Sequence, residues 1–177
     1  MGIETIETER LCLRPPEPED ADAIHRRYSS DPEVVRFLAW GRHRSVDDAH
    51  AFVDWAVRTW EQNLVGPYLA FERETGVLVG STGLDKDTWY RASTGYVLAR
   101  DAWGRGYASE MLRAMIALSE ELDVKRLYAL CHAEHLASAH VLEKAGFALE
   151  GTMRKFMIFP NLGRPEPSDV RLYARVR

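Results

Sequence analysis

Polar and apolar residues alternate over residues 8–14 (Thr-Glu-Arg-Leu-Cys-Leu-Arg), the period of a half-buried strand, and Pro15-Pro16 closes it. The period then becomes helical. Residues 19–28 set Ala23, Ile24, Arg27 and Tyr28 along one side, and Asp31-Pro32 offers an N-cap and an N1 proline for a brief helix through Leu38. Ser45-Val46-Asp47-Asp48 reads as a near capping box for a longer helix on which Ala49, Phe52, Val53, Ala56, Val57 and Trp60 share a face. Three strand signals follow at 67–72, 77–84 and 92–99, joined by Glu74-Thr75-Gly76 and by a polar connection at 85–91, as in an antiparallel meander. From 108 to 122 a stripe of Ala108, Met111, Leu112, Met115, Ile116, Ser119 and Leu122 predicts a helix. Residues 126–132 read as a strand and 137–145 as a helix closed by Gly146. Two last strands begin at Phe147 and are joined by 159–168.

This order predicts a mixed α/β fold, with a mostly antiparallel central sheet and helices on both faces. No repeat or linker divides the chain, so residues 1–177 form one domain, a size at which roughly 70% of the unfolded surface is buried without disulfide or metal. The 46% hydrophobic and 28% charged fractions are those of a globular protein, and five tryptophans argue against disorder. A net charge of −4 gives no general attraction to nucleic acid, and no run approaches the ~20 apolar residues of a membrane span. Met1-Gly2 lacks the Ser or Thr of a myristoylation site, because Ile6 stands there. The start has no basic region followed by an apolar run, and Cys12 and Cys131 are far apart in sequence, which makes a reducing cytoplasm the expectation.

The chemistry concentrates where the strand at 92–99 runs through Trp103-Gly104-Arg105-Gly106-Tyr107-Ala108 into a helix. Two glycines at a helix start leave backbone N–H groups free at the positive end of the helix dipole, a cradle for phosphate or pyrophosphate. A dinucleotide fingerprint would have glycine at Ser109, and a P-loop would have Lys at Tyr107. Both alternatives fail.

A second motif, Ser138-Ala139-His140-Val141-Leu142-Glu143-Lys144-Ala145-Gly146-Phe147, follows ~30 residues on, with Glu150-Gly151-Thr152-Met153-Arg154 beyond it. With Gly95-Tyr96-x-Leu98 ahead of the glycine turn, the chain resembles the GNAT superfamily of acyl-CoA-dependent N-acetyltransferases, in particular the ribosomal-protein N-terminal acetyltransferase branch. The resemblance spans Thr8 to Ala174. It implies an acyl-CoA N-acyltransferase fold, acetyl-CoA as cosubstrate, and a pantetheine arm lying between the strands at 92–99 and 126–132. It further implies phosphate contacts from the backbone of Trp103, Gly104, Arg105, Gly106, Tyr107 and Ala108, and pantetheine contacts near Tyr96, Val97, Leu98, His135 and Ser138. Arg100 or Arg105 would add charge, and Lys144 would approach the adenosine 3′-phosphate.

The chain departs from the family pattern at several positions. Asp101 replaces the usual Gln or Arg before the turn. Leu142 replaces a proton-donating tyrosine, which leaves Ser138 as candidate acid, although a helix-start serine also serves backbone N–H groups. Ser93 and Met157 stand where relatives carry carboxylates, so only Glu134, Asp85 and Glu150 remain as bases acting through water. An α-amine costs about 1 kcal/mol to deprotonate at pH 7 and a lysine about 4.6 kcal/mol, so a site without a strong base suits the former. The backbone N–H of Val97 or Leu98 would polarise the thioester carbonyl. Trp40, Trp89 and Tyr90 either line the acceptor pocket or pack on the core edge. Cys131-His132-x-x-His135 lacks a fourth metal partner, and no metal is expected.

The expected activity is direct acetyl transfer to a primary amine, first the N-terminal α-amine of a protein or peptide. Alternatives are a small-molecule amine (amino acid, polyamine or aminoglycoside) and a non-catalytic CoA-binding regulatory module. Partners beyond the acceptor are neither nucleic acid nor membrane, and the chain is expected as monomer or homodimer.

Overall fold

The computed structural model describes residues 5–63 and 65–177; the Met1-Gly2 start lies outside them. Eight strands form one sheet in the order β1-β2-β3-β4-β5-β6-β8-β7. They are β1 (Ile6–Glu7), β2 (Leu11–Arg14), β3 (Pro67–Glu72), β4 (Leu78–Lys86), β5 (Arg91–Leu98), β6 (Arg126–His132), β7 (Ala148–Met157) and β8 (Ser168–Val176). The strand expected at 8–14 is two short strands, because Thr8 turns the chain: its N–H donates to Leu11 O and its hydroxyl accepts the Leu11 N–H.

All neighbours pair antiparallel except β5 and β6. That parallel register covers only Arg91 with Arg126, Ala92 with Leu127 and Ser93 with Tyr128, after which the two strands diverge. The divergence opens the middle of the sheet.

Five consecutive residues of β4, Leu78 to Thr82, are buried, which requires cover on both faces of the sheet. On one side α4 (Tyr107–Glu121) crosses β2, β4 and β5, and α5 (Leu136–Lys144) lies beside it on β6 and β7. The other cover comes from α1 (Ala21–Ile24), α2 (Pro32–Val35) and α3 (Val46–Asn63), which pack on each other, on β4 and on β5. The helix expected at 19–28 is a 3-10 turn, α1 and a π-helical turn in series, and α2 stops at Val35 before the expected Leu38.

The α4 stripe buries Met111, Leu112 and Met115 completely against Leu11, Leu13 and Leu69 of the sheet's core. α5 ends in a Schellman motif: Gly146 sits at φ +84° and donates to Glu143 O, while Phe147 N reaches Leu142 O at 3.1 Å. No helix among the described residues is long and apolar enough to cross a membrane.

Candidate active site

Where β5 and β6 part, a cleft of about 570 Å³ opens between Thr94–Val97 on one wall and Ala129–His132 on the other. Its backbone is polar by construction. Ala99 N donates to Val79 O at 2.9 Å, and bonded and non-bonded pairs alternate in an antiparallel ladder. The Val97 N–H is therefore directed at β4, whereas the Tyr96 and Leu98 amides face the gap. Of the two amides considered for the thioester carbonyl, only Leu98 is placed for it. The Trp103 indole donates to Leu98 O at 3.0 Å from the same side.

The glycine turn follows β5 in the chain and leads into α4. Gly104 and Gly106 sit at φ +72° and +83°, so it is backbone conformation that selects glycine; a Cβ at 104 would meet nothing within 4 Å. Gly106 caps α4 without a side chain, and among the described residues the N–H groups of Gly104, Arg105, Gly106, Tyr107 and Ala108 donate to no protein acceptor. Five adjacent free donors at a helix N-terminus fit a diphosphate. The Trp103 N–H does not join them, because it donates to Arg100 O at 3.2 Å in a 3-10 turn.

A buried carboxylate braces this turn. Glu110, in the first turn of α4, accepts from Thr8 Oγ1 at 2.6 Å, Arg10 N at 2.7 Å and Arg10 Nε at 2.8 Å. Burial alone would raise its pKa, but these donors outweigh burial and hold the carboxyl below its ordinary range. Arg10 also donates to Arg105 O at 2.8 Å, which ties the β1–β2 corner directly to the cradle.

The neighbouring guanidinium groups are already engaged: Arg100 with Asp31 at 2.5 Å, Arg105 with Glu72 at 2.6 Å, and Arg27 with Asp101 through two bonds of 2.8 and 2.9 Å. Asp101 thus anchors the first helical segment. Lys144 is exposed in the last turn of α5 and has no ion-pair partner among the described residues.

At the cleft's centre Tyr96 reaches across to α5, its hydroxyl 3.0 Å from Ser138 Oγ and 3.2 Å from Ser138 O. Burial pushes the Tyr96 phenol up to about 12, partly offset by Ser138, so the pair holds its protons at neutral pH. Leu142 and Cys131 line the same wall, and burial raises the Cys131 thiol.

Of the three carboxylates, only Asp85 lines the cleft. Glu134 is exposed in the β6–α5 turn, and Glu150 on β7 is ion-paired with Arg126, which holds its carboxyl low. Trp40 lines the cleft, whereas Trp89 and Tyr90 do not. β4 runs on to Lys86, which carries that connection past the cleft mouth; there Tyr90 O accepts the Lys125 and Arg126 amides, and Trp89 is 72% exposed.

The acceptor side is more aromatic than the sequence suggested. Phe37 stacks on His132 and His135 with centroids 4.7 and 4.9 Å away, and Phe159 meets His132 edge-on at 4.7 Å. His132 Nδ1 accepts the Glu134 N–H at 3.1 Å, and burial holds the imidazole neutral, so its proton sits on Nε2. Phe52 and Trp55 complete this wall from α3. In sequence Phe52 belongs to the helix's apolar stripe, and no local pattern marks Phe37 or Trp55.

Asn161 then fastens two loops over this end. Its side chain accepts from Arg42 N and donates to Val35 O and Trp40 O, each at 2.8 Å.

A sheet parted at one parallel pair, an amide track along the gap and a glycine turn with free amides at a helix start are the features an acyl-CoA-dependent transferase requires. The family model for the acetyltransferase (GNAT) domain matches residues 10–148, and the chain belongs to that family. It is 31% identical over 158 residues to the N-acetyltransferase p20 of Bacillus licheniformis, covering 87% of this chain and 88% of that protein. The fold is shared with RimL, a ribosomal L7/L12 alpha-N-protein acetyltransferase solved with coenzyme A, at TM-score 0.85 and 22% identity over 98% of both chains. It is also shared with the spermidine N-acetyltransferase of Vibrio cholerae, solved with CoA and spermine, at TM-score 0.79 and 18% identity over 96% of both chains. The protein is an N-acetyltransferase.

Proposed function

We propose that the protein transfers the acetyl group of acetyl-CoA directly to the N-terminal α-amine of a protein or peptide. The observation that carries this reading is the cleft's lining: two inward amides, one hydroxyl pair, and a single carboxylate, Asp85. Acetyl-CoA supplies an activated thioester and a thiolate leaving group. Leu98 N–H is positioned to stabilise negative charge on the carbonyl oxygen, and the amides from Gly104 to Ala108 hold the diphosphate. The nitrogen gives up its second proton to water as the amide forms, Ser138 Oγ–H protonates the departing thiolate and is replenished by Tyr96, and Tyr96 is reprotonated from solvent. Asp85, through water, takes the proton of an α-ammonium, which is about 2.6 pKa units easier to deprotonate than a lysine.

RimL is named for an alpha-N-protein acceptor and the Vibrio protein was solved with spermine. A polyamine carries several cations and would meet one carboxylate here, so the α-amine is the better match. With Cys12 and Cys131 both free, we place the reaction in the reducing cytoplasm.

Mass spectrometry of a peptide and small-amine panel incubated with acetyl-CoA tests this. Product is expected on free peptide N-termini and not on the same peptides with a blocked N-terminus and an internal lysine. Product only on polyamines, or CoA binding with no product on any amine, contradicts it.

A further inference from the structure

The rim of the acceptor end carries a charge opposite to that of the molecule. Between Glu33 and Asp47 the only charged side chains are Arg36, Arg42 and Arg44, and between Glu150 and Glu166 they are Arg154, Lys155 and Arg164, in a chain of net charge −4. Folding gathers these segments. Asn161 binds the first loop to the second, and Arg36 and Arg164 both act electrostatically on His132, as do Glu134 and Asp169. Arg42 and Arg44 border a recess of about 450 Å³ with His43 and a single carboxylate, Asp48, two and four residues beyond the cleft-lining Trp40.

These arginines differ from those around the glycine turn. Arg10, Arg27, Arg100 and Arg105 are each held by a carboxylate. On the rim no ion pair forms among the described residues: Arg36 lies over the Phe37 ring at 5.1 Å, Arg164 donates to Ser168 Oγ at 3.3 Å, and Arg42 and Arg44 are exposed. The nearby acids are otherwise engaged or outside the cleft. Asp48 accepts the Arg44 and Ser45 amides, Asp169 accepts the Lys155 amide, and Glu134 and Glu166 are exposed. A free cationic rim around an aromatic pocket repels polyamines and aminoglycosides and attracts carboxylates.

We infer that the acceptor is a polypeptide whose segment just past the amino terminus is acidic, its carboxylates meeting Arg36, Arg42 and Arg44 as the α-amine enters the cleft. This rests on the α-amine reading above. An extended chain advances about 3.3 Å per residue, so the acidic positions fall within the first several residues.

The test uses three peptides with identical first two residues followed by acidic, neutral or basic positions, with free glutamate as a small anionic amine and a single-stranded oligonucleotide as competitor. The expected kcat/KM is about tenfold higher for the acidic than the neutral peptide, lowest for the basic one, with the difference in KM and compressed at high salt. An Arg42→Glu, Arg44→Glu double variant, shown folded by retained acetyl-CoA binding, should reverse the acidic and basic order. Equal rates for acidic and neutral peptides, an order unmoved by charge reversal, faster reaction of glutamate, or stronger competition by the oligonucleotide than by the acidic peptide each overturns the inference. If no peptide reacts while small amines do, the α-amine reading itself falls.

Discussion

At the scale of single residues, Gly106 and the Tyr96–Ser138 pair bear on the chemistry. Gly106 adopts a left-handed conformation that a β-branched residue resists, so Gly106→Val should weaken acetyl-CoA binding at least tenfold by calorimetry, through displaced amides rather than a filled site. Ser138→Ala should lower kcat about 100-fold and Tyr96→Phe about tenfold, both with nearly unchanged affinity for acetyl-CoA, as expected of a proton donor and its supplier. Glu110 governs stability instead. Its carboxyl is depressed in the folded state, so its contribution is present above the ordinary range near about 4.3 and is lost as pH falls through the folded value. Glu110→Gln should therefore destabilise the protein by about 2 kcal/mol at pH 7, and denaturant titrations should show that difference shrinking below pH ~4.

Among the elements, the strongly periodic ones were readable from sequence because burial imposes the same period as the backbone. α4 buries Met111, Leu112 and Met115 as its stripe predicts, and Gly146 closes α5 where its sequence position indicated. The split of the first strand was not readable, since it depends on Thr8 and Arg10 binding Glu110, a residue about 100 positions away. Trp89 and Tyr90 had two placements open in sequence, and they lie outside the cleft lining because the end of β4 is fixed by pairing with β5 through Lys86, which no local signal shows. Asn161 is the element-scale device of the acceptor end. Asn161→Ala removes three hydrogen bonds joining two loops, and steady-state kinetics should show a KM for the acceptor raised several-fold with acetyl-CoA affinity retained.

For the molecule as a whole, the sheet's ladder is continuous between its two halves through three parallel residue pairs, and side-chain contacts such as Tyr96 with Ser138 and Phe37 with His132 bridge the gap beyond them. A ligand lying in that gap touches both halves and binds only the folded state. At a concentration 100-fold above its dissociation constant, acetyl-CoA should add about 2.7 kcal/mol of stability, which raises Tm by roughly 5–10 °C for a chain of this size. The glycine turn was legible in sequence because its conformation and free main-chain donors follow from two glycines and a helix start. The acceptor end was not, because Phe37, Trp55, His132 and Phe159 converge from four separate segments.

The central claim is that the amides of the glycine turn, from Gly104 to Ala108, hold the diphosphate of acetyl-CoA. Titrating the cosubstrate into ¹⁵N-labelled protein observes those amides one by one. The account predicts large shifts for Gly104, Arg105, Gly106, Tyr107 and Ala108, with a smaller change at Trp103, whose N–H already has an acceptor. Unmoved resonances at Gly104 to Ala108 in a sample that binds acetyl-CoA would contradict it.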